Sequence, residues 1–136
     1  MIYEDVFLVK ILLPSEVLLN SEFAMVNLPG ESGDLGVLKG HASLIANLVP
    51  GIIVTQKGSH QEKYYIHGGV AHIDNNSIVI LSDFALDLGR FSMVDILDKI
   101  KIINQQLQAC SRDDNNYQII LSKINQYKSV LEFLKK

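Results

Sequence analysis

The 136 residues are 48% hydrophobic and 20% charged, the balance of a globular chain able to bury a core in one domain, or in one domain with an appendage. Twelve basic residues against 15 acidic ones leave a formal charge of -3, so the basic footprint that grips nucleic acid or an anionic membrane is missing. No apolar run approaches the roughly 18 residues of a spanning helix. Met1 to Pro14 lacks the layout of a secretory signal, and the single cysteine, Cys110, has no second thiol, which together predict a reducing, cytosolic compartment.

Val6 to Leu13 is rich in β-branched and aromatic residues, and its alternation sets Phe7, Val9, Ile11 and Leu13 on one face with Lys10 on the other. Pro14-Ser15 ends that strand. Glu16 to Leu19 reads as a second short strand, and Asn20-Ser21 as a turn into Glu22 to Leu28, which stops at Pro29-Gly30.

Gly33-Asp34-Leu35-Gly36-Val37-Leu38-Lys39-Gly40-His41-Ala42 follows, three glycines in eight residues with one carboxylate and one imidazole between short apolar pairs. The spacing predicts a shaped loop, with a short extended piece of its own from Leu35 to Leu38, whose glycines fold the backbone sharply while Leu35, Val37 and Leu38 pin it to a core, leaving Asp34 and His41 displayed. Local chemistry alone favours an ordinary hairpin turn with a capping Asp and a surface His.

Ser43 to Leu48 and Ile52 to Lys57 read as two strands flanking Pro50-Gly51, the pairing of a type II turn. Gln61 to Ile66 comes next, then Gly68-Gly69 as a bulge or a close backbone approach. Val70 to Ile73 and Ser77 to Leu81 form a hairpin across Asp74-Asn75-Asn76. About nine short extended segments without helical periodicity predict an antiparallel β-sandwich or barrel, taken as a sandwich over residues 1–87.

Beyond Asp83 the period changes from 2 to 3.6. Ser92 with Asp95 three residues on is a capping-box start for a helix over Met93 to Gln108, with Met93, Ile96, Leu97, Ile100, Ile103 and Leu107 on one stripe. Asp114 or Asn115 caps a second helix striped by Tyr117, Ile120, Leu121, Ile124, Tyr127, Leu131 and Leu134, widened by Ile119, Val130 and Phe133. Residues 92–136 therefore form a helical hairpin too small to be firmly stable by itself, expected to dock on the sandwich or on a partner.

Catalytic patterns are missing. His41, His60, His67 and His72 lack metal-ligand spacing, and no phosphate-binding loop or nucleophile motif occurs; Gly68-Gly69 is too short a signal for one. Asp34 and His41 are the one acid–base pair on offer, without a nucleophile or second carboxylate nearby.

In series, the Gly33 to Ala42 run, Leu48-Val49-Pro50-Gly51, Gly68-Gly69 and Val79-Ile80-Leu81-Ser82-Asp83-Phe84-Ala85 resemble the epsilon subunit of the F-type ATP synthase, called delta in mitochondria, over nearly the whole chain. The resemblance implies a noncatalytic central-stalk subunit without a cofactor. Its sandwich binds the gamma subunit and sits on the polar loops of the membrane rotor ring, and its hairpin can lie folded against the sandwich or rise along gamma to the alpha and beta subunits of the catalytic head, where it restrains ATP hydrolysis. It implies a peripheral position on the cytoplasmic face of a bacterial inner membrane, without insertion into it. Among site residues it implies a rotor-ring and gamma interface of Asp34, Leu35, Gly36, His41 and Asp83, with Asp34 facing the ring, His41 near gamma and Asp83 ending the last strand, and Gly33, Gly40, Gly51, Gly68 and Gly69 as structural glycines.

The departures are equally specific. Lys39 and Ser43 stand where the family commonly has prolines, and Ser21 replaces a frequent turn glycine. Where some members carry an arginine-containing ATP motif, this chain has Val94-Asp95-Ile96-Leu97-Asp98-Lys99; Asp98 would repel a phosphate, so Asp95 is left as a weak nucleotide ligand. The alternatives are a free-standing β-sandwich protein-binding module with a helical recruitment tail, and a small hydrolase using Asp34 and His41.

Overall fold

The computed structural model describes residues 5–135, which divide into two compact units meeting between Gly89 and Arg90. The first holds eight strands, β1 (Phe7–Leu12), β2 (Val17–Phe23), β3 (Met25–Gly30), β4 (Gly33–Leu38), β5 (Leu44–Lys57), β6 (His60–Ile73), β7 (Ser77–Leu81) and β8 (Ala85–Asp87). They form one hydrogen-bonded path, β2-β1-β7-β6-β5-β3-β4, with β8 paired to β6. Neighbours are antiparallel except β1 and β7, which run parallel.

A continuous ladder becomes a sandwich because its two longest strands change the face they present. In β5 the buried positions pass from Leu48 to Gly51, Ile53 and Thr55, so inward parity switches across Val49-Pro50; in β6 it switches between Ile66 and Ala71. Strands that pass from one layer to the other in this way make the corners of a sandwich. Val9, Ile11, Val26, Leu28, Ile53, Ile66, Ile73, Ile78 and Ile80 fill the interior at 0% exposure. Each contributes roughly 1.5–3 kcal/mol by leaving water.

Several expected boundaries move. Pro50-Gly51 is not a turn: Pro50 pairs with His67 and Gly51 with Ile66 inside β5, and Gly51 is not among the glycines with a left-handed backbone. What requires glycine there is space, since a Cβ would come 2.7 Å from Pro29 Cβ. The β3–β5 register also slips here, with Asn27 opposite Val54 but Gly30 opposite Leu48. Asn20-Ser21 lies inside β2, opposite Lys10 and Val9, and the break falls at Ala24. Gly33 to Leu38 is a strand, with the turn before it at Glu31-Ser32 and the loop confined to Lys39–Ser43. Gly68-Gly69 is a close approach within β6: the Gly69 backbone lies directly against the Leu81 carbonyl.

The second unit is a pair of helices, α1 (Met93–Gln108) and α2 (Asn115–Leu134), packed on each other. The expected caps form: Asp95 N–H donates to Ser92 Oγ at 3.2 Å, Ser92 N–H donates to Asp95 Oδ2 at 2.8 Å, and Asn116 N–H donates to Asp114 Oδ1 at 2.9 Å. Ile96, Ile103, Ile124, Val130 and Leu131 are buried. Met93 and Leu97 of the α1 stripe and Ile119 of the α2 stripe are exposed instead.

Candidate functional site

The sequence-derived site residues occupy three separate places. Asp34 is exposed on β4, the strand at one end of the path, opposite Pro29; with Leu35 it lines a groove of about 430 Å³ whose other wall is Leu44–Asn47 of β5. The groove is fixed by Glu31, whose N–H donates to the Asn47 carbonyl at 2.9 Å while its carboxylate accepts from Asn47 Nδ2 at 3.3 Å. Leu35 packs against the core. Gly33 and Gly40 hold φ of +122° and +85°, whereas a Cβ on Gly36 would meet nothing within 4 Å.

His41 is half-buried in the loop after β4, and its Nδ1–H donates to the Ala42 carbonyl at 2.7 Å. Gly40 N–H donates to the Asn75 carbonyl at 2.7 Å and Ser43 Oγ to Asp74 Oδ1 at 3.1 Å, which fastens this loop to the β6–β7 turn. Asp83 stands at the other end of β7, exposed at a depression of about 310 Å³ lined by Leu12, Leu13, Pro14, Gly69, Leu81 and Ser82. Four residue steps of β7, roughly 13 Å, separate its two ends. Asp34 is near the start of β4, while the His41 N–H bonds the Leu38 carbonyl at its end, again about 13 Å away, so Asp34, His41 and Asp83 form no joint acid–base constellation.

Several other polar groups serve the fold. Ser92 holds the Asp95 carboxyl below its ordinary value, first through its backbone N–H and then through its hydroxyl, so Asp95 is engaged in capping α1; Asp98 is exposed one turn on. Tyr65 Oη and His67 Nδ1 lie 2.6 Å apart, and Ser82 Oγ reaches the Gly68 carbonyl at 2.6 Å and accepts the Phe84 N–H at 3.3 Å. Among the described residues no three potential metal ligands gather.

The feature that sequence reading missed is an apolar row on the outer face of the sheet. Val70 of β6 lies opposite Leu81 of β7, Leu81 opposite Leu12 of β1, and Leu12 opposite Val17 of β2. Four strands at about 4.8 Å spacing make this a band roughly 14 Å long. Val17 is 60% exposed, Leu81 52% and Val70 37%. A parallel row beside it runs Ile45, His72, Val79, Lys10, with Ile45 69% exposed. The Leu12–Leu81 pair at the middle of the band lines the depression at Asp83. The signal in the sequence is that Val70 and Leu81 are large apolar residues at outward positions of strands whose inward positions, Ala71, Ile73, Ile78 and Ile80, already fill the core. A contiguous exposed apolar patch of this kind is the ordinary mark of an interaction surface.

Residues 6–87 match the family described as ATP synthase, Delta/Epsilon chain, beta-sandwich domain. The ATP synthase epsilon chain of Rhodopseudomonas palustris (strain HaA2) is 32% identical over 117 residues, covering 86% of this chain and 85% of the relative. The ATP synthase epsilon chain 2 of Nitrobacter hamburgensis is 31% identical over 124 residues, covering 91% and 90%. In fold, the chain is similar to a chain of the Euglena gracilis mitochondrial ATP synthase (OSCP/F1/c-ring), with TM-score 0.65 and 21% identity over 96% of this chain and 79% of that one. A chain of the Tetrahymena thermophila mitochondrial ATP synthase central stalk and c-ring gives TM-score 0.55 and 13% identity over 97% and 96%. With a family match over its whole β-sandwich unit and relatives above 30% identity along most of its length, this chain belongs to the ATP synthase delta/epsilon family.

Proposed function

We propose that the chain is a noncatalytic central-stalk subunit that docks on the gamma subunit through the Val70–Leu81–Leu12–Val17 band and rests on the rotor ring through the groove edge at Asp34, Leu35 and Gly36. The observation that carries this reading is the band itself, an outward-facing apolar ladder on a rigid sheet, suited to burial against a subunit that turns with it. Asp83 lies beside the Leu12–Leu81 pair at the middle of the band, and His41 stands in the loop that Gly40 and Ser43 fasten at the far end of β7. The ring contact is polar by nature, which fits exposed Asp34 on an edge strand without a covering neighbour among the described residues. The helical hairpin is assigned to the alpha and beta subunits of the catalytic head, and the whole to the cytoplasmic face of a bacterial inner membrane. No helix among the described residues is long and apolar enough to cross a membrane.

The test is capture of the full chain by gamma assembled with alpha and beta. Wild type should bind at submicromolar concentration, and the double substitution Val70→Thr/Leu81→Gln should weaken binding by tenfold or more, about 1.4 kcal/mol. Equal binding by both, with the variant folded, removes the band from the interface.

A further inference from the structure

His72 stands at the middle of the row beside the apolar band, and we infer that it makes docking on gamma proton-sensitive, weakening it as the pH falls. The inference rests on the proposed docking of that face. Its basis is placement: His72 lies opposite Ile45 on one side and Val79 on the other, one residue row from Val70 and Leu81, so a partner covering the band covers the imidazole too.

The charged and titratable groups around it are few. Ser43 and Ile45 on the β5 side and Ser77, Val79 and Leu81 on the β7 side carry no charge, and Lys10 follows on β1, opposite Val79. On its own strand, Asp74 Oδ2 is 4.0 Å from His72 Nε2, with Oδ1 taken by the Ser43 hydroxyl. His41 is held in the loop beyond by the Ala42 carbonyl. Asp74 attracts an imidazolium and Lys10 repels it, so the two oppose each other. Asp74 lies at the β6–β7 turn, its side chain 49% exposed, where water screens it even when the centre of the face is covered.

What remains is desolvation. The His72 side chain is 58% exposed in the free chain and would lose that water on docking, a loss that penalises the charged imidazolium and not the neutral ring. Docking therefore favours the deprotonated form. By linkage, protons released on binding oppose it when they are abundant, so affinity falls as pH drops through the imidazole range.

The experiment measures the affinity of the full chain for gamma, assembled with alpha and beta, at pH 7.5 and pH 5.5, for wild type and His72→Gln. Wild type should weaken by about fivefold between the two, and His72→Gln by less than twofold. Lys10→Met, which relieves the repulsion, should shrink the wild-type drop without abolishing it. A wild-type affinity that is flat or tighter at pH 5.5, or a full drop retained in His72→Gln, overturns the inference while leaving the docking face intact. Absence of wild-type binding at pH 7.5 overturns both.

Discussion

Gly69 of β6 and Leu81 of β7 approach so closely that the Leu81 carbonyl occupies the place where a Cβ on Gly69 would stand. Gly69 also holds φ of +146°, so an L side chain meets both strain and a backbone clash. Gly69→Ala should cost roughly 2–4 kcal/mol, read as a lower urea midpoint. Gly36→Ala is the contrast: with open space and no left-handed φ, it should leave stability unchanged or raise it by about 0.4–1 kcal/mol, while weakening attachment to the rotor ring if Gly36 belongs to that contact.

Ser82 is buried, and its hydroxyl ties the β7–β8 connection to β6 through the Gly68 carbonyl and the Phe84 N–H. Ser82→Ala leaves those groups without that partner and should destabilise the chain by about 1–3 kcal/mol. Amide exchange should accelerate first in β8, which pairs with β6 over three residues.

The tip of the β5–β6 hairpin carries a pH-dependent contribution. The Tyr64 hydroxyl, 2.6 Å from Glu62 Oε2, is the first cause holding that carboxyl below its ordinary value, and His60 adds to it against a desolvation that raises it. Because the folded-state pKa is depressed, the stabilisation is fully present above the unfolded carboxylate range and is lost as pH falls through the folded value. Tyr64→Phe should therefore cost most near neutrality and progressively less below about pH 4. The effect is modest, since Glu62 is partly solvated. Thermal melts of both proteins across pH 3 to 7 check it.

Ser92→Ala removes the hydroxyl that accepts the Asp95 N–H and should fray the first turn of α1, a loss of about 1 kcal/mol typical of such caps. Reduced helical ellipticity with an unchanged strand signal is the expected outcome.

The strands that sequence showed best were those with one wet face: Phe7, Val9 and Ile11 alternate with half-buried neighbours, and β1 lies within a residue of its expected span. The helices were equally visible, because Ser92 with Asp95 and Asp114 are local signals that act through their own backbone neighbours. The misreadings came where a local signal met a long-range demand. Pro50-Gly51 has turn chemistry, yet pairing with Ile66 and His67 carries the strand through, and the glycine is required by Pro29, which is distant in sequence. Asn20-Ser21 is likewise overridden by pairing with β1. The apolar band was missed for a related reason: the Leu12–Val17 segment, Val70 and Leu81 are separated in sequence and become a surface through strand order, including the parallel β1–β7 pair.

The parity switch in β5 and β6 has a mechanical meaning. Because both strands run through both layers, the layers are joined by main chain as well as by side-chain packing, and sliding one over the other would tear the β5–β6 ladder. A twisting load applied to the outer face at Val70 therefore passes along covalent backbone to Gln56 and Gln61, and the body answers as one stiff piece, a shaft key and not a spring.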